Sequence, residues 1–157
     1  MAITTDIRDR LVALQRTMTV NDETMSASEY VSLGIEQFDP PLFVNFPLGS
    51  VRVQTAGTFF TITRNWNMRC YGSAAPTVAR PDQTEEWMYD IIDATYAFFL
   101  PKQRLELNGA PLDFVELVLL TGDSGIQVMT YPQDDQSVNY YTVTFNLQVS
   151  YQSHCIG

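Results

Sequence analysis

Between Tyr140 and Tyr151 the chain reads YYTVTFNLQVSY, and two kinds of side chain alternate along it. Tyr141, Val143, Phe145, Leu147, Val149 and Tyr151 are large and apolar, whereas Thr142, Thr144, Asn146, Gln148 and Ser150 are polar and uncharged. Successive side chains of a strand point to opposite faces, so the pattern predicts a strand with one greasy face and one neutral, hydrogen-bonding face. The stretch TFFTITRNWNMRCY repeats the arrangement. Phe60, Ile62, Trp66, Met68 and Cys70 share one face, interrupted by Arg64, and Thr61, Thr63, Asn65, Asn67 and Arg69 share the other. A solvent-facing or guarded strand normally carries Lys or Glu. Here Arg69 is the only charge among the ten outward positions, which makes those ten the candidate surface for a second copy or a partner.

Helical spacing takes over elsewhere. Ile7, Leu11, Leu14 and Met18 recur at four, three and four, predicting a helix over about residues 4–18 with Asp6 and Asp9 near its start and Arg16 near its end. Trp87, Met88, Ile91, Ile92, Thr95, Phe98 and Phe99 form a second stripe, begun by a capping-box variant at Asp82 and Glu85 and stopped by Pro101. Val51, Val53 and Thr55 alternate with Arg52 and Gln54 ahead of Gly57, a further strand. Phe114–Leu120 and IQVMTY flank Thr121-Gly122-Asp123-Ser124-Gly125, which reads as a hairpin turn. Residues 19–41 keep no period and hold Pro40-Pro41, so they read as a long loop or extended arm. GSAAPTVARP and PQDDQSVN read as polar loops. The order helix, loop, strands, helix, strands predicts one α+β domain over 1–157, a mainly antiparallel sheet with two helices on one face.

Composition narrows the function. A formal charge of −9, with Lys102 the single lysine, argues against a grip on nucleic-acid phosphates. The same acidity suits a surface along which a polyanion slides without sticking. Cys70 and Cys155 lack the paired spacing of a metal knuckle or disulfide scaffold and read as reduced thiols of a cytoplasmic product. MAITTDIRDRL is not a signal peptide, and the apolar run at Phe98–Leu100 falls far short of the roughly 20 residues that span a bilayer, so no membrane is expected.

No catalytic set emerges, and none of the usual metal or cofactor patterns. Gly122-Asp123-Ser124-Gly125 lacks the second glycine of a nucleophile elbow, since Ile126 stands there, and the one histidine is His154 near the end. His154 with Cys155 leaves a four-coordinate site unfilled. Asp134-Asp135 reads as a solvated pair. Arg64 on an apolar face either caps the sheet end or pairs with an acid such as Asp90 or Glu86. The expectation is therefore a non-enzyme without cofactor or metal.

TDIRDRLVALQRTM, FFTITRNWNMRCY, EEWMYDIIDATYAFFLP followed by LELNG, and YYTVTFNLQVSY together resemble, in order and texture, the tail-terminator (neck) proteins of long-tailed bacteriophages over most of residues 4–151. The resemblance implies an α+β fold with helices on one side of an antiparallel sheet. It implies six copies closed into a ring that caps the tail tube and docks on the head-completion (connector) protein, its lumen passing DNA without specific binding. It makes residues 19–41 an arm to a neighbour or the tube, and places the protein in the virion after synthesis in the host cytoplasm. The length of that arm leaves another neck or tail-completion role open. A small-ligand module, with Trp66 and Arg64 lining a pocket, is the alternative outside assembly, and a hydrolase using Ser124 the third.

Overall fold

The computed structural model describes residues 3–31, 41–57, 59–75, 81–133 and 136–154. Helix α1 (Ile3–Gln15) presents Ile7, Leu11 and Leu14 to the interior, as the spacing requires. A turn bonded back onto the helix carries Met18 into the core. Strands β1 (Thr19–Val20) and β2 (Glu23–Thr24) form a minimal hairpin through Asn21-Asp22, both at positive φ, which Asn and Asp tolerate better than most residues. Strand β3 (Ser26–Ser28) then pairs parallel with the start of β4 (Leu42–Ala56).

These short elements correct the expectation of a free arm over residues 19–41. Val20, Met25 and Ala27 are buried in the main core, so residues 19–31 belong to the domain. Burial of alternate side chains in two- and three-residue strands leaves no period long enough to read. Residues 32–40, Pro40 among them, lie outside the described residues.

β4 is followed by β5 (Phe59–Ala75), α2 (Pro81–Phe99), β6 (Val115–Asp123), β7 (Gln127–Gln133) and β8 (Gln136–His154). The sheet runs β3-β4-β5-β8-β6, antiparallel apart from the β3–β4 pair, with β7 also on β8. The fold is α+β. Both helices pack on one face of the sheet, α1 against β3 and β4 and α2 against β5 and β8, and Ile62, Trp66, Met68, Phe145, Leu147 and Val149 share one core with Leu11, Met88 and Ile91. α2 comes close to β5 at Gly72, where an added Cβ would stand 2.5 Å from Met88 Sδ.

The hairpin expected around Gly122–Gly125 is not formed. β6 and β7 do not pair with each other but lie end to end along β8, β7 on residues 136–142 and β6 on residues 145–151. β8, at 19 residues, is long enough to serve both. The link between them, one residue longer than the stretch of β8 it follows, is pinned by the Gly125 amide donating to Asp123 Oδ1 (2.7 Å), with Gly125 at φ +70°. Ser124 completes the contact with β8: its amide donates to the Thr144 carbonyl (2.9 Å), and its hydroxyl accepts from the Thr144 amide (3.0 Å).

Candidate assembly interface

The two neutral strand faces predicted separately are one surface. β5 and β8 pair antiparallel in a register that sets Thr63 beside Ser150, Asn65 beside Gln148, Asn67 beside Asn146 and Arg69 beside Thr144. Thr61 continues the field next to Gln152. All point away from the helices, because the register fixes the opposite parity inward and a one-residue slip would reverse both faces at once. The Thr63 and Ser150 hydroxyls are 2.9 Å apart and share a hydrogen bond.

The field is graded along the strands. Asn65 and Asn146 are exposed at its centre, and Thr61, Thr63, Asn67, Arg69, Thr144, Gln148 and Ser150 are partly buried. Thr142 is fully buried, beside the small apolar cluster of Leu42, Val44 and Tyr71. It cannot meet a partner in this conformation, because burial of its neighbours has already taken it from the surface. The Arg69 charge is engaged: Nε donates to Thr144 Oγ1 (3.3 Å), Nη1 to the Tyr71 hydroxyl (3.4 Å), and the guanidinium lies 5.1 Å from the Phe46 ring centroid.

Rows across the sheet reveal what the separate strands could not. One outward row reads Val51, Thr63, Ser150, Leu117, and another ends Asn65, Gln148, Leu119. A third reads Phe46, Asn67, Asn146, Gly122. The neutral field thus lies between apolar flanks that are open: Val51 and Val53 are 65% and 56% exposed, Leu117 and Leu119 38% and 47%. Exposed valines and leucines grouped on both sides of an uncharged field are candidate contact residues.

Other candidate residues fall elsewhere. Arg64 makes no ion pair with Asp90 or Glu86; its Nη1 donates to the Leu48 carbonyl (2.7 Å). A register shift between Pro47 and Ser50 puts a bulge opposite Arg64, and bulged carbonyls lack ladder partners, so the guanidinium serves the backbone instead. Asp90 accepts from Asn21 Nδ2 (2.8 Å). Trp66 lines a cavity of about 320 Å³ with Arg8, Glu29, Tyr30 and Pro47, but Arg64 is not among its lining residues. The Trp66 indole nitrogen is buried without a hydrogen-bond partner, so it offers that cavity no donor.

Cys70 is wholly buried, and burial pushes its thiol far above the ordinary range, which leaves it inert as a nucleophile or ligand. Among the described residues no three His, Cys, Asp or Glu side chains gather as metal ligands, and no helix is long and apolar enough to cross a membrane. α2 opens at Pro81, which puts Asp82 inside the helix and not at its cap, and of GSAAPTVARP, read as a loop, Gly72–Ala75 belong to β5 while 76–80 lie outside the described residues, as do the Asp134-Asp135 pair, the side chain of His154, and Cys155.

One polar contact escaped the sequence reading. Gln15 and Asn45 exchange two hydrogen bonds, 2.7 and 2.8 Å, at buried positions that tie α1 to β4. Gln15 lies four residues beyond Leu11 on the apolar stripe, and that spacing was its one signal. Compared with known proteins, the chain matches no protein-family model and no curated sequence.

Proposed function

We propose that this chain is a structural component of a virus particle, a tail-terminator-like protein whose copies close into a ring at the end of a long phage tail. The observation that carries the reading is the outward face of β5 and β8. It is a continuous, in-register field of Thr, Asn, Gln and Ser with no carboxylate, bounded on both sides by exposed valines and leucines. A neighbour can satisfy such a field with hydrogen bonds while burying no unpaired charge, the costliest error at an interface.

In this reading six copies cap the tail tube and join it to the head-completion protein, and DNA passes through the lumen without being held. The net charge of −9 supports that passage, because an acidic wall repels a polyanion instead of trapping it. The chain works by contact and shape, with no chemical step and no cofactor. The Ser124 hydroxyl is engaged with the Thr144 amide and the Gly125 carbonyl, which supports a part in the turn over a part as nucleophile.

The test is mass in solution together with negative-stain imaging after mixing with the tail-tube protein encoded by the same genome. The reading predicts a ring of six, free or seated on tube ends. A chain that stays monomeric and leaves tube ends bare contradicts it.

A further inference from the structure

The sheet has two open edges. Beyond Val44, β4 has no strand on its outer side among the described residues, because β3 covers only Leu42–Val44. At the far side, β6 ends the order. An open strand edge is a row of unpaired backbone donors and acceptors, ordinarily guarded by lysines, prolines or very short length. Residues 50–56, SVRVQTA, have no lysine or proline and only Arg52 as a charge, and residues 117–122 of β6, LVLLTG, have no charge or proline, each edge being interrupted by a single irregularity, at Gln54/Ala56 and at Leu120/Gly122.

We propose that the two edges belong together: β4 of one copy adds to β6 of the next, so that the sheet continues from chain to chain. This junction rests on the ring reading above and specifies how its copies join at the edges, which leaves the outward face of β5 and β8 to the tube or the head-completion protein. Three observations carry it. First, β4, β5, β8 and β6 alternate in direction, each antiparallel to the next, so β4 and β6 run oppositely within a chain. A head-to-tail repeat therefore brings them together antiparallel, the orientation of every other pair in this part of the sheet.

Second, the apolar flanks fit. Val51 and Leu117 lie in the same row, so an unstaggered junction sets Val51 of one copy beside Leu117 of its neighbour. Any even stagger keeps the exposed valines on the face of the exposed leucines. Third, the charges are opposite. Arg52 is the single charge on β4, and β6 carries Glu116 and Asp123. Arg52 shares its row with Val115, which places it one residue from Glu116 across the junction. Arg52 and Glu116 are exposed, and neither enters an ion pair among the described residues. A cavity of about 250 Å³ between the end of α2 and β6, lined in part by Ala97, Leu100, Gln103 and Leu119, leaves room for the inward side chains of an added strand.

The experiment uses the full chain with Cys155→Ser, carrying Val51→Cys, Leu117→Cys, or both. Within one chain these positions are three strand spacings apart, roughly 14 Å, twice the reach of a disulfide, so any bridge joins two copies. Under mild oxidation the double variant is expected to give a ladder ending at the closed ring, and each single variant none. In parallel, Arg52→Glu and Glu116→Arg are each expected to weaken assembly by about tenfold, and their combination to restore it within about threefold. A ring that forms without a ladder, or a dimer from Val51→Cys alone, overturns this junction and leaves the ring reading standing. A chain that is monomeric at millimolar concentration, with and without tail tubes, overturns both.

Discussion

The two faces of one sheet differ in how complete they are. The inward face is finished by its own chain: Trp66, Met68, Phe145, Leu147 and Val149 are at most 1% exposed beneath the two helices. Its one polar intrusion from the strands onto α1, Asn45, meets Gln15 through both amide groups. The outward face makes its hydrogen bonds locally, Thr63 to Ser150 and Arg69 to Thr144, and stops at open valines and leucines. Position 145 and position 146 sit side by side on β8 and belong to these two regimes. The main core lies on one side of the sheet, and the other side buries only the small cluster at Leu42, Val44 and Tyr71, leaving the rest of its length to be specified by association.

The comparison breaks most sharply at those two positions. Phe145→Ala should cost about 3–5 kcal/mol, because the helices cannot fully collapse onto the space it leaves. Urea unfolding would show the lowered midpoint. Asn146→Ala should leave the midpoint within about 0.5 kcal/mol of the parent, since its side chain is exposed. A large loss there would mean that the outward face also holds the fold.

A smaller effect is expected where the inward face tolerates polarity. Gln15→Leu strands the Asn45 amide in the core and should cost about 1–3 kcal/mol, whereas Gln15→Leu with Asn45→Leu should recover part of the loss. Denaturation of both single variants, Gln15→Leu and Asn45→Leu, and of the double measures the coupling. If the double variant is as damaged as the sum of the singles, the pair is not a coupled unit.

Smaller still is an alkaline effect at the margin between the faces. The Tyr96 hydroxyl donates to Asp123 (2.8 Å), and burial with that carboxylate beside it pushes the phenol up to about 12. The unfolded chain ionises its tyrosine first, near pH 10. The contribution is therefore whole below pH 10 and is lost as pH rises towards 12. Tyr96→Phe should remove this part of the alkaline sensitivity, read as a flatter loss of melting temperature between pH 9.5 and pH 12; an unchanged slope would assign it elsewhere.

Much of the fold was legible because long elements keep a period. Phe59–Tyr71 of β5 and Tyr140–Tyr151 of β8 alternate steadily enough to fix which side chains go inward, whereas Gly72–Ala75 and Gln136–Asn139, read as loop, extend those strands. The β1–β2 hairpin and β3 were not legible, since Val20 and Ala27 are buried one at a time from strands of two or three residues and Met25 from the link between β2 and β3. Gly122–Gly125 was read wrongly as the turn of a hairpin: Gly122 and Asp123 end β6 and the chain runs on into β7 in the same direction, because nothing local states that β6 and β7 share a third strand. Arg64 was misassigned for a related reason: the bulge it serves is a property of the β4–β5 register, invisible in either strand alone. As for the candidate surface, alternation supplied both halves, and only the pairing of β5 with β8 showed that they adjoin and that valines and leucines bound them.

The central claim is that protein covers the neutral outward face once the particle is built. Asn65→Cys and Asn146→Cys, each in the Cys155→Ser background, place a thiol at its exposed centre, and the rate of maleimide labelling reports solvent access. The account predicts rapid labelling in the free chain and at least tenfold slower labelling in the assembled particle. Equal rates in both states would contradict it, leaving that face to water.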